Sequence, residues 1–277
     1  MQKTIERRDV FYISDGTAIT CETLGNAVLG QFSFKIHEQT IPFVENSEMA
    51  YQALQHIKQA KEKTGTSPVV FLSTVIPEVK AIIMTADAHI YDILSMLTKP
   101  IQQDLQLEAK PKLQRSRSVG KDEKAYYDRI SAIEYTLSHD DGVSLKGIEQ
   151  ADIILLGVSR SGKTPTSLYM ALHFGLRVIN YPFISDDIPS LALADIFQVY
   201  RHKLFGLTIN KERLAEIRNE RLANSVYASE KQCAEELHSV EQLFRREAIP
   251  YINTSSLSVE EISARILQQT GLKGRLY

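Results

Sequence analysis

Cysteine is scarce: Cys21 and Cys233, far apart in the chain, are the two thiols among 277 residues. That scarcity excludes a disulfide framework and a cysteine zinc site, and it fits a reducing compartment. Long apolar runs are missing too. None approaches the roughly 18 residues that span a bilayer, and residues 1–10 are charged, without the apolar core of a signal peptide. Charge of one sign is not in excess. The formal net charge of −2 leaves no strong field to draw in nucleic acid or an anionic membrane. Internal repeats and low-complexity tracts are also absent. The expectation is a cytoplasmic, soluble protein with neither a nucleic-acid nor a membrane partner.

What is present points to two domains, at about 100–200 residues each. Residues 10–14 (VFYIS) predict a buried strand running into the turn Asp15-Gly16-Thr17, and 18–32 carry apolar residues at helical spacing. Helices are expected over 47–63 and 78–97, with a strand at 69–73 between them. After Pro100 the composition shifts, and 108–124 are polar and basic: a linker or mobile loop, or an arm that attracts phosphate. Further on, the pattern predicts helices over 126–138, 166–174, 211–224, 230–247 and 259–269. It predicts strands over 151–156, 177–181, 203–209 and 251–253. Cys233, Leu237, Val240 and Phe244 form an apolar stripe, read as core. The fold class expected is α/β: an N-terminal α/β domain (1–107), then a P-loop kinase-like α/β domain (125–277).

One motif carries chemistry. Gly157, Val158, Ser159, Arg160, Ser161, Gly162, Lys163 and Thr164 match G-x-x-x-x-G-K-S/T at every fixed position. The glycines permit backbone angles and close approaches that a Cβ would block. Successive N–H groups then cradle phosphate oxygens, and the following helix adds its positive end. Lys163 supplies a compact charge on the outer phosphates, and the Thr164 hydroxyl can coordinate Mg²⁺. A strong strand precedes the motif and a helix follows it. Pro165 falls in the first helical turn, where its missing N–H costs little. Chance alone gives such a match about once in a hundred chains of this length.

The loop's partners stay open. An acid usually holds Mg²⁺ at the end of a neighbouring strand. Asp186 and Asp187, after the strand at 177–181, can serve, as can Asp140 and Asp141 beside His139; either pair can also act as general base. The plain alternative is that each pair lines a turn or starts an element. Arg160 can reach a transferred phosphoryl group or simply be solvated. His202 and Lys203, at a strand start, read as surface positions. Thr17 reads as a helix N-cap, with an anion-binding turn as the alternative. A kinase for a small acceptor is a rival reading. A GTPase-type switch is disfavoured, because Asn210-Lys211-Glu212-Arg213 lacks the closing Asp of a guanine reader.

Four blocks resemble one family. They are GVSRSGKTPTSLYMALHFGLRVINYPF (157–183), YISDGTAITCETLG (12–25), YYDRISAIEYTLSHDDG (126–142) and HKLFGLTINKERLAEIR (202–218). Together they are similar to the bacterial phosphoenolpyruvate synthase regulatory proteins, relatives of the pyruvate, phosphate dikinase regulatory proteins. The GKT of the loop and the YPFISDD run look more like the synthase regulators. The resemblance implies a bifunctional serine/threonine kinase and pyrophosphorylase. It would inactivate its protein partner, phosphoenolpyruvate synthase, by phosphorylating a threonine with ADP as donor. It would reverse this with inorganic phosphate, releasing pyrophosphate. It carries the ADP site onto 157–164, with Lys163 on the phosphates. Mg²⁺ and an acid/base role for Asp140 or Asp141 are implied, a dikinase target is the alternative, and a homodimer is compatible.

Overall fold

Residues 10–13, Val-Phe-Tyr-Ile, are apolar without alternation, the pattern of a parallel strand covered on both faces. In the computed structural model, which describes residues 7–109, 123–183 and 191–275, they are fully buried at the centre of a sheet. The described residues form two compact units, 7–109 and the remainder. The first runs β1 (Arg7–Ser14), α1 (Ile19–Leu29), β2 (Lys35–Ile41), α2 (Ser47–Thr64), β3 (Val69–Ser73), α3 (Pro77–Ile83), β4 (His89–Asp92) and α4 (Ile93–Leu105). Its four strands are parallel, in the order β2-β1-β3-β4. Phe11, Ile13, Val70 and Leu72 pack with α2 and α3 on one face. Val10, Tyr12 and Phe71 pack with Cys21 and Leu29 on the other.

Two expectations for this unit need correction, and one strand carried no signal. The 78–97 helix is two helices separated by β4, which pairs with β3 from Val69↔His89. Asp92 starts the second helix by accepting from the Ser95 amide at 3.1 Å, an N-cap inside an apolar run. The polar strand β2 lacks an apolar signal because it is an exposed edge. Thr17 is not a cap either. Ala18 occupies that position at φ 64°, with no side-chain bond to the helix. The preceding turn instead ties β1 to β3: Asp15 accepts from the Thr74 hydroxyl at 3.0 Å and the Val75 amide at 2.7 Å.

The second unit runs α5 (Glu123–Ser138), β5 (Ile153–Val158), α6 (Lys163–Phe174), β6 (Val178–Phe183), α7 (Asp195–Gln198), β7 (Leu204–Thr208), α8 (Lys211–Arg221), α9 (Glu230–Arg246), β8 (Tyr251–Asn253) and α10 (Val259–Thr270). Its strands are again parallel, in the order β6-β5-β7-β8. Both faces are covered. Ile154, Leu156 and Val158 meet the α9 stripe Cys233, Leu237, Val240 and Phe244, while Ile153 and Leu155 meet Met170, Ile262 and Ile266. A capping box between Ser258 and Glu261 opens α10. From the connector expected over 108–124, residues 110–122 lie outside the described residues, and α5 begins inside it at Glu123.

The chain leaves β5 for β6 on one side and returns to β7 on the other. This reversal opens a crevice at the carboxyl end of β5, where open parallel sheets take their ligands. The segment 157–164 begins within that end of the strand.

Candidate active site

The last residues of β5 and the first of α6 are joined by a tight loop. Two of its residues adopt left-handed backbone angles, Arg160 at φ 75° and Gly162 at φ 90°. Gly157 is needed for a different reason. A Cβ there would stand 2.4 Å from the Leu207 carbonyl oxygen and 2.8 Å from Ser161 Oγ. The loop is pinned from beneath by Thr254, whose hydroxyl lies 3.1 Å from both the Ser161 and Thr208 carbonyl oxygens.

Lys163 is the first residue of α6 and is 4 % exposed. Its ammonium donates to the Val158 carbonyl at 2.8 Å, folding the side chain back under the loop. Burial drives its pKa down to about 7, against the pull of the Asp141 and Asp140 carboxylates. Thr164 donates its hydroxyl to Asp140 Oδ1 at 3.1 Å and accepts from the Asn180 amide at 2.9 Å. Asn180 Nδ2 also donates to Asp140 Oδ1 at 2.5 Å, which leaves the buried Asn180 Oδ1 without a protein partner. The structure thus brings Asp140 to the loop through β6.

The aspartate turn is itself held. His139 is buried; its ring nitrogens lie 2.7 Å from the Tyr135 and Lys146 carbonyl oxygens. Its ring stacks on Tyr135 with centroids 4.0 Å apart. The Asn180 backbone N–H donates to the His139 carbonyl at 3.2 Å, which ties the strand to the turn. Asp141 follows at φ 50° and lines a cavity of about 620 Å³. Ser159, Arg160, Gly162, Lys163 and Thr164 line it as well, and its size suits a nucleotide-sized ligand.

A second brace comes from α8 and α9. Arg218 is fully buried and donates to Glu236 at 2.6 Å, to the Ser159 carbonyl at 3.1 Å and to the Tyr227 carbonyl at 3.0 Å. Neither Arg218 nor Asn180 was among the sequence candidates. Asn180 did leave a trace, as a polar residue inside the buried strand Val178–Phe183. Arg218 sits on a helix too polar to reveal which face is inside.

Other candidates fall elsewhere. Lys203 donates to the Glu149 and Ala151 carbonyls, and neither it nor His202 lines the cavity. Asp186 and Asp187, the alternative metal ligands, lie outside the described residues. Among the described residues no helix is long and apolar enough to cross a membrane.

A family model described as kinase/pyrophosphorylase matches residues 10–267. The chain belongs to the kinase/pyrophosphorylase family. Full-length relatives named "Putative phosphoenolpyruvate synthase regulatory protein" occur in Vibrio atlanticus, 64% identical over 276 residues, and Vibrio cholerae, 62% identical over 277. Another from Photobacterium profundum is 60% identical over 276 residues; each alignment covers 100% of both chains. The description of a kinase/pyrophosphorylase names a phosphotransferase, and Arg160, Lys163 and Arg221 line the cavity together with Asp141.

Proposed function

We propose that residues 157–164 are a phosphate-binding loop for ADP. On this reading the chain phosphorylates a threonine of phosphoenolpyruvate synthase and removes the phosphate by phosphorolysis. The observation that carries this reading is the joining of Lys163, Thr164 and Asp140 at one end of β5. The relatives' printed names supply the target.

ADP would place its β-phosphate in the loop, at the amino end of α6. The target's hydroxyl oxygen then attacks the β-phosphorus, the bond to the bridging oxygen breaks, and AMP leaves. The proton passes to a carboxylate. Asp141 lines the cavity and suits that role, whereas Asp140 is engaged with Thr164 and Asn180. In reverse, an orthophosphate oxygen attacks the phosphothreonine phosphorus. Pyrophosphate forms, and the threonine oxygen departs and regains its proton. Both directions use the same anion cradle, and positioning with charge neutralisation supplies most of the catalysis.

Mg²⁺ fits the residues present. The Thr164 hydroxyl, the Asp140 carboxylate and the unpartnered Asn180 carbonyl oxygen are hard oxygen donors. The ion would neutralise phosphate charge, and these three groups would hold it directly or through water.

The purified chain, incubated with phosphoenolpyruvate synthase and ADP, should produce one phosphothreonine by mass spectrometry, with AMP in equal amount. A competent target left unmodified by every nucleotide donor would refute the regulatory reading.

A further inference from the structure

The cavity is larger than a phosphate cradle requires. Beyond the loop its wall is built by Ile217, Arg221, Leu222 and Tyr227, from the end of α8 and the short turn Val226–Ala228. This wall is apolar and aromatic, with one guanidinium at its side. Leu222 is 57 % exposed, so an apolar surface is left open beside a strongly polar floor.

Tyr227 is fixed at several points. Its hydroxyl lies 2.9 Å from Ser159 Oγ. The Arg218 guanidinium packs against its ring, 4.1 Å from the centroid, and also holds its carbonyl. Arg218 is itself locked by Glu236 in a pair that is almost wholly out of solvent. The ring therefore meets a ligand with little rotamer freedom left to lose. A rigid aromatic ring flanked by aliphatic side chains suits the flat face of a nucleobase. The bond from Tyr227 to Ser159 joins this wall to the loop, placing the two halves within the span of one ligand.

We infer that Tyr227, Ile217 and Leu222 form the base-stacking subsite of a nucleoside polyphosphate whose phosphates occupy the 157–164 loop, with Arg221 donating at the rim. The inference rests on the nucleotide reading proposed above. It separates two ligand classes: a nucleotide engages wall and loop, and inorganic pyrophosphate, which has no base, engages the loop alone.

The test is calorimetric titration of the full chain with ADP and with pyrophosphate, each with Mg²⁺. Tyr227→Ala should weaken ADP about tenfold while pyrophosphate stays within about twofold. Tyr227→Phe, which keeps the ring, should hold ADP close to the unaltered protein. Leu222→Ala, at an exposed position, should weaken ADP about threefold and leave pyrophosphate unchanged; it stands on its own should Tyr227→Ala not fold. Equal losses for both ligands would overturn the subsite, because the ring would then act only through Ser159. ADP binding indifferent to Tyr227→Ala, or to Leu222→Ala should the tyrosine variant not fold, would overturn it as well. Failure of the unaltered chain to bind either ligand would instead refute the phosphate cradle, and the subsite with it.

Discussion

Lys163 sits where burial works against its own charge. With its pKa brought down to about 7, the free chain holds it largely neutral in mild alkali. Phosphate oxygens beside it would restore the ammonium form. Nucleotide binding should therefore take up a proton above neutrality, and affinity should fall as pH rises from about 7 to about 9. Calorimetry in two buffers of different ionisation heat, at about pH 8.5, should show uptake approaching one proton per nucleotide. Lys163→Met should abolish the uptake; its persistence in that variant would contradict the assignment. The two aspartates should also separate. Asp140→Asn should raise the Mg²⁺ needed for half-maximal activity about tenfold or more. Asp141→Asn should cut kcat by about 10²-fold or more with the Mg²⁺ requirement little changed. Initial rates across a Mg²⁺ series distinguish these outcomes. At this scale the loop was legible because every position in its pattern has a fixed spacing. The Asp140–Asp141 pair was legible as a candidate. Its partner was not, since Asn180 meets Asp140 across 40 residues and local spacing cannot report that contact.

Among the elements, α8 and α9 are tied to the loop by the buried Arg218–Glu236 pair. Arg218→Met should cost about 3–5 kcal/mol, because the buried Glu236 carboxylate would lose the guanidinium that balances its charge. The double change Arg218→Met with Glu236→Leu should recover most of that loss, to within about 1–2 kcal/mol. Urea unfolding measures both. The double variant should still bind nucleotide weakly, because the Ser159 carbonyl and Tyr227 lose their brace. Gly157→Ala forces a methyl group against the Leu207 carbonyl, and should destabilise by about 1–3 kcal/mol in the same assay. The elements that pattern revealed were those with buried faces. VFYI of β1, the centre of β5 and the α9 stripe each carried a clear apolar signal. Strands β2 and β4 escaped because edge strands need little burial, and a four-residue strand between two helices does not break a helical pattern.

At the scale of the whole molecule, each unit repeats one plan: a four-stranded parallel sheet covered on both faces. Strand–helix alternation made that plan readable, and in the second unit the loop pattern ends β5, where that sheet's strand order reverses. The choice of ADP over ATP was not readable in residue spacing, because a phosphate cradle accepts di- and triphosphates alike; the family resemblance alone suggested it. The most direct measurement follows label from ADP carrying ³²P at the β position, with the full chain and phosphoenolpyruvate synthase. Label should reach a single threonine of the synthase, and inorganic phosphate should then release it as pyrophosphate, with Lys163→Ala losing both steps. Label that remains in the nucleotide, or phosphorolysis untouched by Lys163→Ala, would contradict a single cradle serving both reactions.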